Sequence, residues 1–367
     1  RRYPTYQYGN KLNLIGRVSL PSGETESSYS KYLARFNIYA RCDYPEITLE
    51  QEFAGQPIWR WLYGIKHYWL NLATQVMPEP TSGLLSGLLL GIKAALPEEL
   101  LNNFNATGLT HIIALSGFNI SIVAGAILGL LRWLPLTVRL SGAIIVIWWF
   151  VLLTGAAPSA LRAAIIGMFI LLAGLVGRLA DVTISLCLTV AAMVLANPKI
   201  LLGDIGFQLS FLATIGIIYL SPIIEHIYQK HLPVMKGLLG PTLSALIMVT
   251  PILMVNFGRI SLIAPLTNVL VVPLIPLAMV LGFAAMVGGM LQTDLGLVLG
   301  WLAWAPLKLI VILVNYFSAF PFASINIKVG FGIWFIVYYL AVGSWIILHY
   351  VKKKSNPPWV DSDSRSR

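Results

Sequence analysis

Long apolar runs recur through this chain from about residue 82 to residue 350. Several approach twenty residues, the length of helix that crosses the hydrocarbon core of a bilayer. Charged residues make up 11% of the sequence and hydrophobic residues 57%, whereas an average soluble domain is about 25% charged. The runs are continuous rather than alternating, which argues against a transmembrane barrel. The sequence therefore predicts an all-α polytopic membrane protein.

About nine transmembrane helices are expected. The run over residues 262–290 is too long for one simple crossing and contains three prolines. Proline removes a backbone hydrogen bond, so this helix should be broken or kinked where the freed backbone faces protein or a water-filled cavity. The expected spans lie near residues 109–134, 140–157, 159–177, 182–196, 205–221, 241–257, 262–290, 295–317 and 331–350.

Three consecutive lysines, Lys352 to Lys354, follow the last expected span. The positive-inside rule assigns them to the cytoplasm, and with nine crossings residues 1–56 then lie outside. Residues 109–350 are expected to form the transmembrane domain, and residues 351–367 a basic and then disordered tail. The net charge of +10 fits anchoring to acidic head groups, but it also fits a polyanionic cargo.

Residues 1–56 are the only clearly non-membrane part. Residues 11–21 alternate like a half-buried strand, residues 27–37 indicate a short helix with a serine cap, and residues 38–52 indicate one or two further strands. These elements are too few for an independent domain. We therefore expect the C-terminal part of a small β-barrel, in a chain that continues before Arg1.

Short helices are expected over residues 57–108. The pattern of residues 57–78 is amphipathic and rich in aromatic and basic side chains, which suits the membrane interface, although a helix packed on the preceding domain fits it too. Residues 82–91 are too short to cross and carry a glycine at every fourth position, which predicts a re-entrant or buried half-helix. A further helix should begin at Pro97 and end at Gly108.

Three stretches place polar groups at the start of otherwise apolar helices: TGLTHIIALSGFNIS (residues 107–121), TGAAPSALRA (154–163) and GDIGFQLSFLATIG (203–216). Polar side chains are unfavourable in hydrocarbon, so a chain that holds them either uses them or buries them against other polar groups. We expect the three helix ends to converge on one polar path through the membrane. Its candidate residues are His111, Ser116, Asn119, Ser159, Arg162, Asp204, Gln208 and Ser210.

These polar residues also have purely structural interpretations. Ser116 and Asn119 share a helix face, so they either line the path or hydrogen-bond a neighbouring helix. Arg162 either faces phosphates, which a guanidinium binds through two N–H groups, or it reaches the head groups or pairs with an acid such as Asp204. Since Asp204 would repel a phosphate, we assign it to holding Arg162 or to capping a helix.

Phe207 and Phe211 form a stripe beside Asp204 and Gln208. Aromatic rings next to polar groups suit single-stranded nucleic acid, whose bases stack on aromatic faces. The same stripe is also typical of an apolar core, and the sequence does not choose between the two.

The sequence predicts no metal site, no ATP site and no cofactor. It contains no GxxxxGK[ST] loop and no HxxEH or HxHxD cluster. Cys42 lies in a polar region and Cys187 within a span, so no disulfide is expected. A catalytic pair of Ser116 and His111 is disfavoured, because residues five apart on an unbroken helix lie about 140° apart.

Together the three stretches resemble the competence domain of the ComEC family, the inner-membrane DNA channel of natural transformation. The resemblance runs from about residue 80 to 320 in the family's order, with NFGRISLIAPLTN (residues 256–268) as a further match. Residues 1–56 are similar to the end of the OB-fold domain that precedes the channel in this family. The expected fold is thus a polytopic helical domain with interfacial and re-entrant helices, preceded by a partial OB-like β domain.

The resemblance implies that single-stranded DNA crosses the cell (inner) membrane through these helices, with the motif polar positions along its path. It implies as partners single-stranded DNA, the lipid bilayer, a cytosolic helicase or ATPase and a DNA receptor, and it leaves a homodimer open. Many relatives add a metallo-β-lactamase-like nuclease domain that this sequence does not contain, so this chain is expected not to be an enzyme. Many also have Leu-His where Phe118 and Asn119 stand here.

Two other classes of protein are compatible with parts of the pattern. A small-molecule secondary transporter shares broken helices and polar groups at the membrane midplane, although no clear repeat relates the two halves of this chain. An intramembrane hydrolase would use Ser116 as its nucleophile.

Replacing Ser116 by Ala separates the hydrolase from the other two. The substitution removes the hydroxyl that a hydrolase would need, so a channel should keep its function and a hydrolase should lose it. We expect the transformation frequency of a Ser116→Ala strain to stay close to that of its parent. A loss as complete as that of a gene deletion would instead favour hydrolysis.

Overall fold

A computed structural model describes residues 6, 8–20, 33, 37–52, 54–113, 116–228, 237–327 and 329–355, the last four as backbone. The helix expected over residues 27–37 and the tail from residue 356 lie almost entirely outside these residues. Helices dominate the described chain, as the apolar runs predict.

The strands and helices are numbered in chain order. The strands are β1 (Lys11–Ile15), β2 (Val18–Ser19), β3 (Arg41–Cys42), β4 (Glu46–Gln51), β5 (Arg259–Ser261) and β6 (Ser324–Asn326). The helices are α1 (Pro57–Val76), α2 (Thr81–Leu90), α3 (Glu98–Ala106), α4 (Thr110–Ile113), α5 (Gly117–Leu130), α6 (Leu136–Leu153), α7 (Pro158–Leu175), α8 (Val182–Ala196), α9 (Ile200–Gly203), α10 (Ile205–Ile215), α11 (Ser221–Tyr228), α12 (Leu239–Phe257), α13 (Ala264–Val271), α14 (Leu274–Leu291), α15 (Thr293–Ser318) and α16 (Ile333–Ser355). A 3₁₀ turn, Lys93–Ala95, precedes α3, and a π-helical turn, Gly216–Leu220, joins α10 to α11.

Two small antiparallel pairs form the N-terminal part, β1 with β4 and β2 with β3. They confirm strands within residues 11–21 and 38–52. This part contacts α1, where the ring of Tyr8 stacks on that of Tyr63 with centroids 5.2 Å apart. Whether these strands complete an OB-like domain stays a prediction.

Seven helical segments of the described chain are long and apolar enough to cross a membrane. The other two expected spans contain shorter apolar helices, α5 with 14 residues and α8 with 15. The count of nine crossings therefore stays a prediction. The seven segments are Leu136–Leu153, Pro158–Leu175, Ile205–Tyr228, Leu239–Phe257, Leu274–Leu291, Thr293–Ser318 and Ile333–Val351.

The fifth expected span continues beyond its expected end at residue 221, to Tyr228. Glu225 and His226 gave this part the polarity of a loop. Its Ile223 and Ile224 are nonetheless buried and pack with Leu220, so tertiary contacts extend the helix.

The helix α2 is the most enclosed element of the chain, since all ten of its residues are buried. Its glycines allow this: a methyl group on Gly83 would collide with the carbonyl of Ala95, and one on Gly87 would lie 3.0 Å from Ile113. Its core includes side chains of α1, α3, α14 and α15. The structure thus confirms a short buried helix in this region, while its re-entrant placement in the membrane stays a prediction.

Two expected spans are interrupted. The long run over residues 262–290 divides into α13 and α14 at Val272 and Pro273, as its prolines predict. The first expected span also divides, into α4 and α5, which the sequence did not predict. Ser116 has an extended backbone there, with φ −107° and ψ 167°, and starts α5 as its N-cap. The angle of 140° assumed above for Ser116 and His111 therefore does not apply.

The last helix, α16, makes little apolar contact with the rest of the described chain, since none of its most apolar window is buried. Two hydrogen bonds join it to α12: the Tyr338 hydroxyl donates to the Ile247 carbonyl at 2.8 Å, and the Tyr339 hydroxyl to the Met248 carbonyl at 2.9 Å. Pro251 explains the first acceptor, because proline has no N–H for the carbonyl four residues earlier.

If the Tyr338 hydroxyl replaces the backbone hydrogen bond that Pro251 cannot donate, the contribution of Tyr338 to the free energy of unfolding should depend on Pro251. We expect Tyr338→Phe to lower the free energy of unfolding by about 0.5–2 kcal/mol. The loss should be smaller in a Pro251→Ala background, where a backbone N–H is available to Ile247. Unfolding of the purified protein by SDS titration measures both.

The matched control is Tyr316→Phe, because Tyr316 is 62% exposed and its ring packs against those of Phe317 and Phe320. It should change stability little. Equal losses from Tyr338→Phe in the two backgrounds would contradict the assignment.

Candidate functional site

The first polar stretch begins α5 and ties it to α2. The Ser116 hydroxyl donates to the Asn119 side-chain oxygen at 3.3 Å, and the Asn119 amide donates to the Leu88 carbonyl at 3.3 Å. Asn119 is buried, and Ser116 is half-buried. Of the two roles considered for Asn119, the structure supports a hydrogen bond to a neighbouring helix. It also gives Ser116 a partner other than His111.

The second stretch starts α7, directly beside the first. A methyl group on Gly117, the first residue of α5, would lie 3.5 Å from the Ala163 side chain of α7. Pro158 opens α7 with its fixed φ, and Ser159 lies half-buried in the first turn. The starts of α5 and α7 therefore meet at the same end of the helix bundle.

Arg162 is the unusual residue of this meeting point. It is only 5% exposed, and its Nε and Nη1 atoms have no hydrogen-bond partner in the part of the chain that the structure describes. Asp204, at the start of α10, attracts it electrostatically. Burying a guanidinium is unfavourable unless opposite charge and hydrogen bonds compensate. The negative charge of Asp204 compensates the positive charge of Arg162. The Nε and Nη1 atoms of Arg162, however, make no hydrogen bond to the described residues.

The third stretch supplies this opposite charge and a helix cap with one side chain. The Asp204 carboxylate accepts a hydrogen bond from the Phe207 backbone N–H at 3.2 Å and caps α10. Asp204 is 4% exposed. Of the two alternatives considered from the sequence, the helix cap is present, and the charge of Asp204 also attracts Arg162.

Gln208 and the two phenylalanines lie next to this cap. The Gln208 amide donates to the Leu201 carbonyl at 2.9 Å, which links α10 to α9. The rings of Phe207 and Phe211 stack on each other, with centroids 6.0 Å apart and planes at 6°. Since Phe207 is buried, its ring belongs to the core and is not an open platform for bases.

The other two candidate residues are less closely integrated. Ser210 is half-buried one turn further along α10, and its carbonyl accepts a hydrogen bond from Thr214. His111 is exposed on α4, and its ring nitrogen lies 3.1 Å from the carbonyl of Gly108. This contact of His111 is local and involves none of the other candidate residues. The structure thus brings together the starts of α5, α7 and α10, with His111 at the margin.

A contact that sequence reasoning missed joins the N-terminal part to this region. The Lys199 ammonium group donates to the Tyr39 hydroxyl at 2.7 Å and to the Asn37 side chain at 3.2 Å. Lys199 stands just before α9, five residues ahead of Asp204. The sequence around Lys199 gives no indication of this contact, because its partner Tyr39 lies 160 residues away along the chain.

The distinctive chemical group of this site is a buried guanidinium. No group of three or more His, Cys, Asp or Glu side chains that could hold a metal is found among the described residues. Both cysteines are free thiols. A buried guanidinium with unused N–H groups is suited to binding an anion such as a phosphate.

Comparison with known proteins decides the family. The family model described as "Competence protein" matches residues 88–352, from within α2 to within α16. The chain belongs to the competence protein family. This match confirms the resemblance found from the three polar stretches, all of which lie inside it.

Two curated relatives are similar to this chain over part of their length. "ComE operon protein 3" of Bacillus subtilis (strain 168) is 25% identical over 312 residues, which cover 84% of this chain and 39% of the relative. "Uncharacterized protein YcaI" of Escherichia coli (strain K12) is 30% identical over 224 residues, which cover 57% of this chain and 29% of the relative. The chain thus spans well under half of either relative. No solved structure matches it.

The pairing of Arg162 with Asp204 can be measured separately from the helix cap. Asparagine caps helices about as well as aspartate, so Asp204→Asn should remove the charge and keep the bond to Phe207. We expect it to lower the free energy of unfolding by up to about 3–5 kcal/mol, because it leaves a buried guanidinium without an opposite charge. In an Arg162→Met background the same change should have a much smaller effect.

Asp181→Asn is the matched control, because Asp181 caps α8 in the same way from an exposed position. It should change stability by only a few tenths of a kcal/mol. An effect of Asp204→Asn that is the same with and without Arg162 would contradict the pairing.

Proposed function

We propose that this chain forms the membrane path through which single-stranded DNA crosses the cell (inner) membrane during natural transformation. The observation that carries the proposal is the buried guanidinium of Arg162, with unused N–H groups, where the first two polar stretches meet and the third supplies Asp204. Membership of the competence protein family supports it.

The path begins at Arg162. In the absence of DNA, Asp204 holds the guanidinium in place and balances its charge. A phosphate of the entering strand takes up the unused N–H groups of Arg162, and Asp204 keeps the affinity low enough for the phosphate to leave again. A conducting site must bind its cargo well enough to admit it and weakly enough to release it.

The short helices favour an entrance that is recessed below the membrane surface. We infer nine crossings, with α5 and α8 as the two additional ones. The 14 residues of α5 span about 21 Å, less than the roughly 30 Å of the hydrocarbon core. The polar start of α5 then lies inside the membrane plane, at the bottom of a funnel that water and a nucleotide strand can enter.

The entrance is assigned to the outer face. The far half of the helix that starts at Asp204 contacts the far half of α16, where the Tyr350 hydroxyl donates to the Tyr219 carbonyl at 3.3 Å. The lysine run at the end of α16 therefore lies at the opposite end from Arg162. Since such runs stay in the cytoplasm, Arg162 faces the side from which DNA arrives, and so does the N-terminal part that contacts Lys199.

The remaining partners follow from this arrangement. The N-terminal strands, as the end of an OB-like domain, deliver the strand from a DNA receptor. A cytosolic helicase or ATPase supplies the pulling force, because this chain has no ATP-binding loop in its sequence. Cutting of the second strand belongs to another protein or domain, and this chain acts without catalysis.

The sharpest test replaces Arg162 by Lys in the natural host. Lysine keeps the positive charge that Asp204 needs but loses the planar fork that binds a phosphate through two bonds. We expect uptake of labelled DNA to fall about tenfold or more, equivalent to about 1.4 kcal/mol, while protein abundance on immunoblots stays unchanged.

Arg139→Lys is the matched control, since Arg139 is also a partly buried arginine with an unpaired Nε atom but lies near the start of α6, away from this meeting point. Its uptake should stay at the parental value. Normal DNA uptake in both variants would overturn the role of Arg162. Normal transformation after deletion of the whole gene, or transport of a small solute by vesicles that do not take up DNA, would overturn the channel itself.

A further inference from the structure

A groove with an almost entirely apolar lining opens where α1 meets α6 and α14. Its volume is about 380 Å³, within the range of about 300–1,000 Å³ that is typical of small-molecule sites. It lies apart from the meeting point of the three polar stretches. Its main lining residues are Trp61, Gly64, Ile65 and Tyr68 of α1, Trp149 of α6 and Met290 of α14.

The composition of the helices that form this groove indicates that its walls face the membrane. The helices α6 and α14 are two of the segments that are long and apolar enough to cross it. Trp61, Trp149 and Met290 are 57%, 39% and 50% exposed in the protein alone, so their open side faces acyl chains. Two of the lining rings contact each other edge to face, with the centroids of Trp61 and Trp149 6.4 Å apart.

Gly64 is one of the lining residues and has no side chain to fill the groove. A methyl group on Gly64 would have no heavy atom within 4 Å, so any side chain there would project into the groove. Gly64 also lies in the interior of a 20-residue helix, where glycine is about 1 kcal/mol less favourable than alanine. No neighbouring helix is close enough to require a glycine at this position. A ligand bound in the groove would require one, because a side chain at Gly64 would occupy its space.

A positively charged residue lies one helical turn before Gly64. Arg60 precedes Gly64 by four residues, so the two are neighbours on the same side of α1. Its side chain is exposed, and its Nη2 atom donates to the Gly55 carbonyl at 3.5 Å, just before the start of α1. A guanidinium on an amphipathic helix at the membrane interface lies at the level of the phospholipid head groups.

We propose that this groove is a binding site for one acyl chain of an anionic phospholipid, whose phosphate group binds Arg60. The chain lies over Gly64, between Trp61 and Tyr68 on one side and Trp149 and Met290 on the other. The bound lipid fills the space between α1 and the transmembrane helices, so it attaches the interfacial helix to the bundle.

Photo-crosslinking in vesicles tests the proposal. The full chain is reconstituted in phosphatidylglycerol that contains a small fraction of an analogue with a diazirine on its acyl chain, and crosslinked peptides are mapped by mass spectrometry. We expect crosslinks to concentrate on residues 61–68 and on Trp149. Gly64→Leu should reduce them at least tenfold, and Met290→Trp should do the same from the opposite wall.

The matched control is Gly129→Leu, because Gly129 of α5 is also exposed, with no heavy atom within 4 Å of an added methyl group. It should leave the crosslinks at the groove unchanged. Arg60→Gln should abolish any preference of the groove for phosphatidylglycerol over phosphatidylcholine. Crosslinks that are spread evenly over the apolar surface, that persist in Gly64→Leu, or that are replaced by contacts between two copies of the chain would overturn the proposal.

Discussion

The architecture depends on how backbone hydrogen bonds are completed where no water is available. A helix that ends inside protein leaves its last carbonyl groups without intrahelical partners, and each one costs several kcal/mol if it stays unpaired in hydrocarbon. The buried helix α2 ends in this way. Its Gly87 carbonyl accepts from the Gly91 N–H, and its Leu88 carbonyl from the Asn119 side chain. The bond from Asn119 to the Leu88 carbonyl also fixes the start of α5. The position of the first polar stretch therefore depends on how the last turn of α2 is completed.

Other interruptions of the helices are completed by side chains from distant parts of the chain. The Thr267 hydroxyl of α13 donates to the Thr107 carbonyl at the end of α3, at 2.9 Å. The hydroxyl groups of Tyr338 and Tyr339 in α16 likewise donate hydrogen bonds to backbone carbonyls near Pro251. Hydroxyl and amide side chains therefore act at the breaks, where they join elements that share little apolar surface. Arg162 differs from these side chains, because its Nε and Nη1 atoms donate no hydrogen bond to a carbonyl of the described residues.

The elements that were predictable from the sequence are those with a local signal. Seven apolar segments, the break before Pro273 and the buried half-helix α2 follow from hydropathy, proline and glycine spacing. The sequence also suggested the cap formed by Asp204, as one of two alternative roles, since a cation or a helix start stabilises a carboxylate there. The break before Ser116, the partner of Asn119 and the contact of Lys199 with Tyr39 were not. Each of them depends on which distant residues come together, and residue spacing along one helix holds no information on that.

The π-helical turn at Gly216–Leu220 has a consequence for the long helix that contains it. Such a turn accommodates about one extra residue, which changes the angular phase of everything after it by about 100°. Gly216 makes the turn fit, because its lack of a side chain lets the helix approach the Ser244 carbonyl of α12. The face that packs against neighbouring helices before the turn therefore need not continue in register with the face that packs after it. A relative with one residue fewer between Asp204 and Ser221 could keep both packing surfaces with an uninterrupted α-helix, so this is where the helix best tolerates a change of length.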